Sequence, residues 1–192
     1  ALILIEDARP EFEVAQEAIA DALAARANIE VGSLSQKTRP LLEKIDPFLP
    51  LLDRGLPALM ALPKVLGGAE FGPQVYLVLI QNEDEIRATG GFITAAAIVT
   101  IENGQMVDYA IKDSYDVHDE ERFYALAPWQ MSKFMGEDYL VFRNVNWLPD
   151  FPTTAMWAEH LNGYTSGQLV DGVIAIDQEA LRLLLTAVGP LE

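Results

Sequence analysis

The 192-residue chain contains no cysteine. Disulfides, thiolate zinc sites and cysteine nucleophiles are therefore excluded. The lack fits the cytoplasm and equally the exterior of bacteria whose exported proteins carry no disulfides. Histidine is almost as scarce, with His118 and His160 the only two. A multi-histidine metal centre is excluded within the chain, and no pattern supports a serine-hydrolase triad. Basic residues are few: 13 Lys and Arg stand against 29 Asp and Glu, for a net charge of −16. Nucleic acid and anionic membrane both require basic patches, so neither is expected as a direct partner. No apolar run approaches the roughly 20 residues of a membrane helix. Within these residues no signal-peptide pattern is visible, nor a nucleophile-elbow serine, Walker loop or dinucleotide fingerprint. Tandem repeats and low-complexity segments are also missing.

The residues present suffice for a core, because 51% of them are hydrophobic. Residues 1–72 read as a helical segment. Phe12, Ala15, Ile19, Ala22, Leu23 and Ala27 recur at helix spacing, with Glu11, Glu13, Glu17 and Asp21 toward the favourable N-terminal end. Ser35 is an expected N-cap for a second helix through Leu41, Leu42 and Ile45. Pro47, Pro50, Pro57 and Pro63 are expected to break the stretch after that helix into short pieces. The stretch Gly67 to Pro73 marks a boundary.

From Gln74 the periodicity changes. Val75 to Ile80 is a continuous apolar run, the pattern of a buried strand. Phe92 to Ile101 and Met106 to Lys112 form two further strands around Asn103-Gly104, the strongest short hairpin signal. Pro128 to Met135 suggests a short helix. Thr153 or Thr154 is expected to cap a helix bearing Trp157 and Leu161. Val170 to Ile176 reads as another buried strand, with Val173, Ile174 and Ile176 in the core. Asp177 should cap a helix over Gln178 to Val188, stopped by Gly189-Pro190. The fold class is α/β: a mixed sheet with a central antiparallel hairpin, covered by helices and preceded by the helical segment. The chain starts at Ala1 and stops soon after Gly189-Pro190. It therefore reads as a piece of a longer protein, with an α/β domain at 73–192 expected to continue beyond Glu192.

Four motifs in order carry a resemblance. They are Tyr76 to Asn82, Glu85 to Ile93 with its Arg87-Ala88-Thr89-Gly90-Gly91-Phe92, Arg143 to Pro152, and Val170 to Asp177 with Leu185 to Pro190. Together they resemble the bacterial domain-of-unknown-function family four thousand and twelve, from about Gln74 to the end. That family in turn resembles the LytR-CpsA-Psr proteins, membrane-anchored enzymes that transfer glycopolymers from a polyprenyl-pyrophosphate carrier onto peptidoglycan. The resemblance implies an extracytoplasmic domain, held at the membrane only by an anchor outside this chain. It also implies a polyprenyl-phosphate glycan or cell-wall polymer as partner, and Mg²⁺ as a candidate cofactor. The departures are specific. The enzymes' pattern puts Arg-Ser-Asp, with a metal-binding Asp, before the hairpin. Here Ala88-Thr89-Gly90-Gly91 stands there, and Arg87 is the nearest arginine. Their Arg-Asp after the returning strand is Lys112-Asp113 here, and lysine does not replace arginine at a bidentate phosphate site.

Arg87, Gly90, Gly91, Lys112 and Arg143 are the expected anion-binding residues. The glycines can turn N–H groups toward an anion, and the arginines offer planar forks. The alternative is that the glycines only shape a turn and Arg87 pairs with a neighbouring acid. Glu85, Asp113 and Asp116 are the expected metal-binding acids, with Glu83, Asp84, Asp119, Glu120 and Glu121 nearby; exposed loop acids are more often simply solvated. Asn144, Asn146, Trp147 and Asp150 could meet a sugar, or could satisfy and anchor their own loop. Two functions stand side by side. One is a domain that binds, and could transfer, a (pyro)phosphorylated polyprenyl glycan. The other is a non-catalytic envelope assembly or adhesion module with a degenerate cleft.

Overall fold

The computed structural model describes residues 1–189. Residues 1–73 with 102–105 form one compact unit, and residues 74–101 with those from 106 onward form another.

The first unit is helical: α1 (Leu2–Asp7), α2 (Arg9–Ala27), α3 (Arg39–Ile45) and α4 (Phe48–Val65). Helix α4 packs against α1 and α2. Arg9 donates to the Met60 carbonyl at 3.2 Å. Arg26 forks onto Asp46 at 2.5 and 2.7 Å, and that bond holds the Asp46 carboxyl below its usual pKa. Two sequence expectations are corrected here. The prolines do not fragment α4, which runs 18 residues with Pro57 and Pro63 inside it. Pro47 is the N-cap and Pro50 lies in the first turn, where the N–H has no intrahelical acceptor to lose. Each internal proline removes one ladder bond, and packing against α1 and α2 offsets that loss. Ser35 likewise does not cap α3, whose N-cap is Thr38. Ser35 Oγ instead accepts the Thr38 N–H, closing a turn before the helix.

The second unit holds a four-stranded sheet in the order β3-β2-β1-β4. The strands are β1 (Gln74–Asn82), β2 (Phe92–Glu102), β3 (Gln105–Asp113) and β4 (Gly172–Ile176). Strand β1 is antiparallel to β2 and parallel to β4, so the sheet is mixed. Asn103 and Gly104 both take positive φ, 52° and 78°, as a type I′ hairpin turn requires. Alternation sends Leu77, Leu79 and Gln81 of β1 to one face, where all three are buried. Ile93, Ala96, Val117, Phe142, Val145, Ala158 and Leu161 close that core.

The hairpin is not central. Strand β3 is an edge, and all nine of its residues are exposed, so no helix covers it. The chain after Asp113 turns onto the sheet's covered face instead, where Val117 enters the core. Strand β4 is the opposite edge, which explains why Ile174 is 41% exposed rather than in the core. Val173 packs against the core from a half-buried position.

Helices α5 (Trp129–Met135), α6 (Phe151–Ser166) and α7 (Gln178–Val188) complete the unit. Helix α6 begins earlier than the threonines suggest. Asp150 is its N-cap, accepting the Thr153 N–H at 2.9 Å, with Pro152 in the first turn. Asp177 caps α7 as expected, accepting from Ala180 at 2.7 Å. Pro190 lies outside the described residues.

Candidate functional site at one end of the sheet

Because β1 and β4 run parallel and β2 runs against them, one end of the sheet gathers several segments. These are the exit of β1, the entry of β2, the exits of β3 and β4, and the N-terminus of α7. All of the anion-site candidates belong to these segments or to the 3₁₀ segment Phe142–Trp147 that packs beside them. Gln178 ties two of them together, donating from Nε2 to Asn82 Oδ1 at 2.6 Å and from its N–H to Glu83 at 2.9 Å.

The loop from Asn82 to Gly91 is closed by its backbone. Glu85 N–H donates to the Asn82 carbonyl, and Phe92 N–H returns to the Glu85 carbonyl. Gly90 and Gly91 have φ of 115° and 133°, open to glycine and costly for other residues. A Cβ on Gly91 would overlap the Asn82 carbonyl. Gly91 is therefore dictated by this close approach of backbone to backbone. Its carbonyl accepts from Asn146 Nδ2 at 2.7 Å and from Gln81 Nε2 at 3.4 Å. Asn146 is fully buried, so it acts as the bolt between this loop and the 142–147 segment. Beside the loop, β2 carries an extra residue opposite the step from Ile80 to Gln81. That residue is Thr94, whose Oγ1 donates to the Ile80 carbonyl. Bulges of this kind re-aim strands next to binding sites.

The two arginines share one design. Arg87 lies 5.2 Å from the centroid of the Phe92 ring and donates to Glu85 at 2.9 Å. Arg143 lies 4.6 Å from the Tyr115 ring and donates to Glu137 at 2.9 Å. Each is mostly buried, with its guanidinium over an aromatic ring and an acid at its tip. In the sheet unit, buried polar atoms without a hydrogen-bond partner include Arg87 Nε, Ser114 Oγ, His118 Nδ1, Asn144 Nδ2 and Asn146 Oδ1. Native structures rarely leave such groups unpaired.

Next to this end lies an open, mainly apolar cavity of about 490 Å³. Thr89 of the loop, Pro149, Phe151 and Val173, Ile174 and Ala175 of β4 line it. Lys112 faces elsewhere. It lines a separate cavity of about 140 Å³ with Asp116, His118, Asp119 and Asn162.

The acids are dispersed. Glu85 is engaged by Arg87, and Asp113 Oδ1 accepts the Tyr115 N–H at 2.9 Å. Asp119 pairs with Arg122, which holds its carboxyl below the usual pKa. Among the described residues, no three acid or histidine side chains converge as a protein-held cation would need. The present residues therefore do not fit a caged Mg²⁺. Both histidines instead join an aromatic row. His118 stacks on Tyr124 at 4.6 Å, Tyr124 meets Tyr164 edge-on, and Tyr164 stacks on His160.

Residues 72–192 match the profile of a family described as protein of unknown function (DUF4012). The chain belongs to the DUF4012 family. The matched part holds the whole sheet, both arginines and the glycine loop. No curated protein and no solved structure matches this DUF4012 chain. Sequence reasoning passed over Ser114, Thr94 and the buried role of Gln81. The signal for Gln81 was there, as a polar residue closing an otherwise apolar strand.

Proposed function

We propose that this DUF4012 chain is an extracytoplasmic envelope domain that binds a (pyro)phosphorylated polyprenyl glycan at the loop end of the sheet. The observation that carries the reading is the buried Arg87 Nε without an acceptor, in a guanidinium that stands over the Phe92 ring. An anion arriving there meets a preorganised donor, with Arg143 and Asn144 belonging to the same sheet end. Charge-assisted hydrogen bonds of this kind are worth about 1.5–3 kcal/mol each. The Arg87–Glu85 pair does not block the reading, because Glu85 is half exposed and such pairs are worth about 0–1 kcal/mol. A doubly charged phosphate can displace it. The 490 Å³ apolar cavity beside Thr89 suits the first isoprene units of the lipid. A LytR-CpsA-Psr-like architecture is part of the same proposal.

A second reading has its own support. Arg87 and Arg143 both end on acids within their own unit, which is the arrangement of a degenerate cleft in an assembly or adhesion module. Calorimetry with inorganic pyrophosphate and with farnesyl pyrophosphate separates the two. The ligand-binding reading expects farnesyl pyrophosphate to bind more tightly than pyrophosphate. Arg87→Ala should weaken both about 10- to 100-fold. Ile174→Glu should weaken only the farnesyl compound. No heat from either compound with the unmodified chain leaves the assembly module standing.

A further inference from the structure

Strand β3 is the longest exposed edge of the sheet, with nine residues and no proline, and among the described residues no strand pairs with its outer side. Natural edges are usually short, bulged or blocked by charge, because an open row of N–H and C=O groups templates another strand. Here the charges Asp108, Lys112 and Asp113 are set among large apolar groups. Met106, Val107, Tyr109 and Ile111 are 62%, 53%, 62% and 60% exposed. We infer that β3 pairs antiparallel with β3 of a second copy, about a two-fold axis at Ala110.

The register is set by self-complementarity. With Ala110 opposite Ala110 of the other copy, Asp108 of each chain faces Lys112 of the other, and Tyr109 of each faces Ile111 of the other. Symmetry makes each of these pairs occur twice. Opposite-charge and aromatic to β-branched cross-strand pairs are the stabilising kinds, at about 0.2–1 kcal/mol each. Moving the axis to Tyr109 puts Asp108 opposite Ala110, and moving it to Ile111 puts Lys112 opposite Ala110; both lose the charge pairs. The backbone agrees. The two-residue turn at Asn103-Gly104 makes Glu102 and Gln105 the first bonded pair of the hairpin. Alternation along an antiparallel ladder then turns the N–H and C=O of residues 108, 110 and 112 away from β2. Those are the residues that the Ala110 axis pairs by hydrogen bonds. The result is one continuous eight-stranded sheet from two four-stranded ones.

Seven residues per chain, Val107 to Asp113, give a small interface, so a dissociation constant of roughly 10–100 µM is expected. Sedimentation velocity across a concentration series of the full chain should show the mass rising from 21.2 kDa toward twice that value. Ala110→Pro removes an outward donor that an edge strand can spare, and should weaken the dimer at least 10-fold while circular dichroism stays unchanged. Asp108→Lys and Lys112→Asp each set like charges face to face twice, and each should weaken it about 5- to 10-fold. The double swap should restore it to within about 2-fold. A monomer at every concentration overturns the inference, as does a dimer indifferent to Ala110→Pro. Failure of the double swap to restore pairing overturns the register.

Discussion

The two units hold themselves together in different ways. Between residues 1 and 73 only Pro63, Gly67 and Gly68 are buried, and no large hydrophobic side chain is. Every buried large side chain of the core lies in the sheet unit, from Tyr76 to Leu161. The helical unit relies on partly buried packing of α4 against α1 and α2, on the Arg26–Asp46 fork and on contacts such as Arg9 to Met60. Contacts at a surface are individually weak, whereas core burial is cooperative. The difference teaches where function can be fixed. Side chains held in place for binding need a rigid base, and among the described residues the buried core lies in the sheet unit.

The largest expected effect is at Gly91. Gly91→Ala drives a Cβ into the Asn82 carbonyl at a φ that alanine avoids. Urea unfolding followed at the sheet should show a loss of about 4 kcal/mol or more. Leu77→Ala comes next, at about 3 kcal/mol, since Leu77 is fully buried at the centre of the core. Leu41→Ala in α3 is the paired control. It is 61% exposed, and should cost about 0.5 kcal/mol or less. Similar losses at Leu77 and Leu41 would erase the contrast between the units. Hydrogen exchange sharpens it differently: amides of β1 and β2 should outlast those of α1 to α4 by orders of magnitude.

Asn146→Ala is intermediate. It leaves the Gly91 carbonyl without its shortest partner and opens a small polar void. A loss of about 2 kcal/mol is expected, with weaker pyrophosphate binding because the loop is no longer bolted. Unchanged stability in this variant would mean that the loop is held by its own backbone alone.

Much of this contrast was legible in residue patterns, and some of it was not. The hairpin could be read because Asn103-Gly104 is a local signal with a local cause. Asp177 could be read as a cap for the same reason. The apolar run of β1 was visible, but its one-sided burial was not, since a continuous run does not say which face is covered. The exposure of β3 and Ile174 depends on strand order, which no local pattern carries. Pro57 and Pro63 misled because their cost is local while the compensation is tertiary. The glycine loop was recognisable, yet Gly91 is explained by a carbonyl nine residues earlier in the chain. Arg87 was foreseen both as an anion ligand and as a partner for an acid. The fold presents it as paired with Glu85 at its tip and unpaired at Nε.

The smallest effect tests the cap of α6 and carries a sign with pH. Asp150 accepts from the Thr153 side chain and backbone, and those bonds hold its carboxyl below the usual aspartate pKa. A group whose folded pKa is depressed stabilises the fold above its unfolded pKa. That contribution is lost as pH falls through the folded value, so it should be present at neutral pH and gone in strong acid. Asp150→Asn keeps an acceptor oxygen and removes the charge at the helix N-terminus. It should therefore lower stability slightly at pH 7 and not at pH 2, with the difference closing through the acidic range. Thermal unfolding of the two proteins at matched pH reads this directly. Parallel curves at all pH values would show that Asp150 acts as a hydrogen-bond acceptor only, with no help from its charge. A gap that widens in acid would contradict the cap geometry itself.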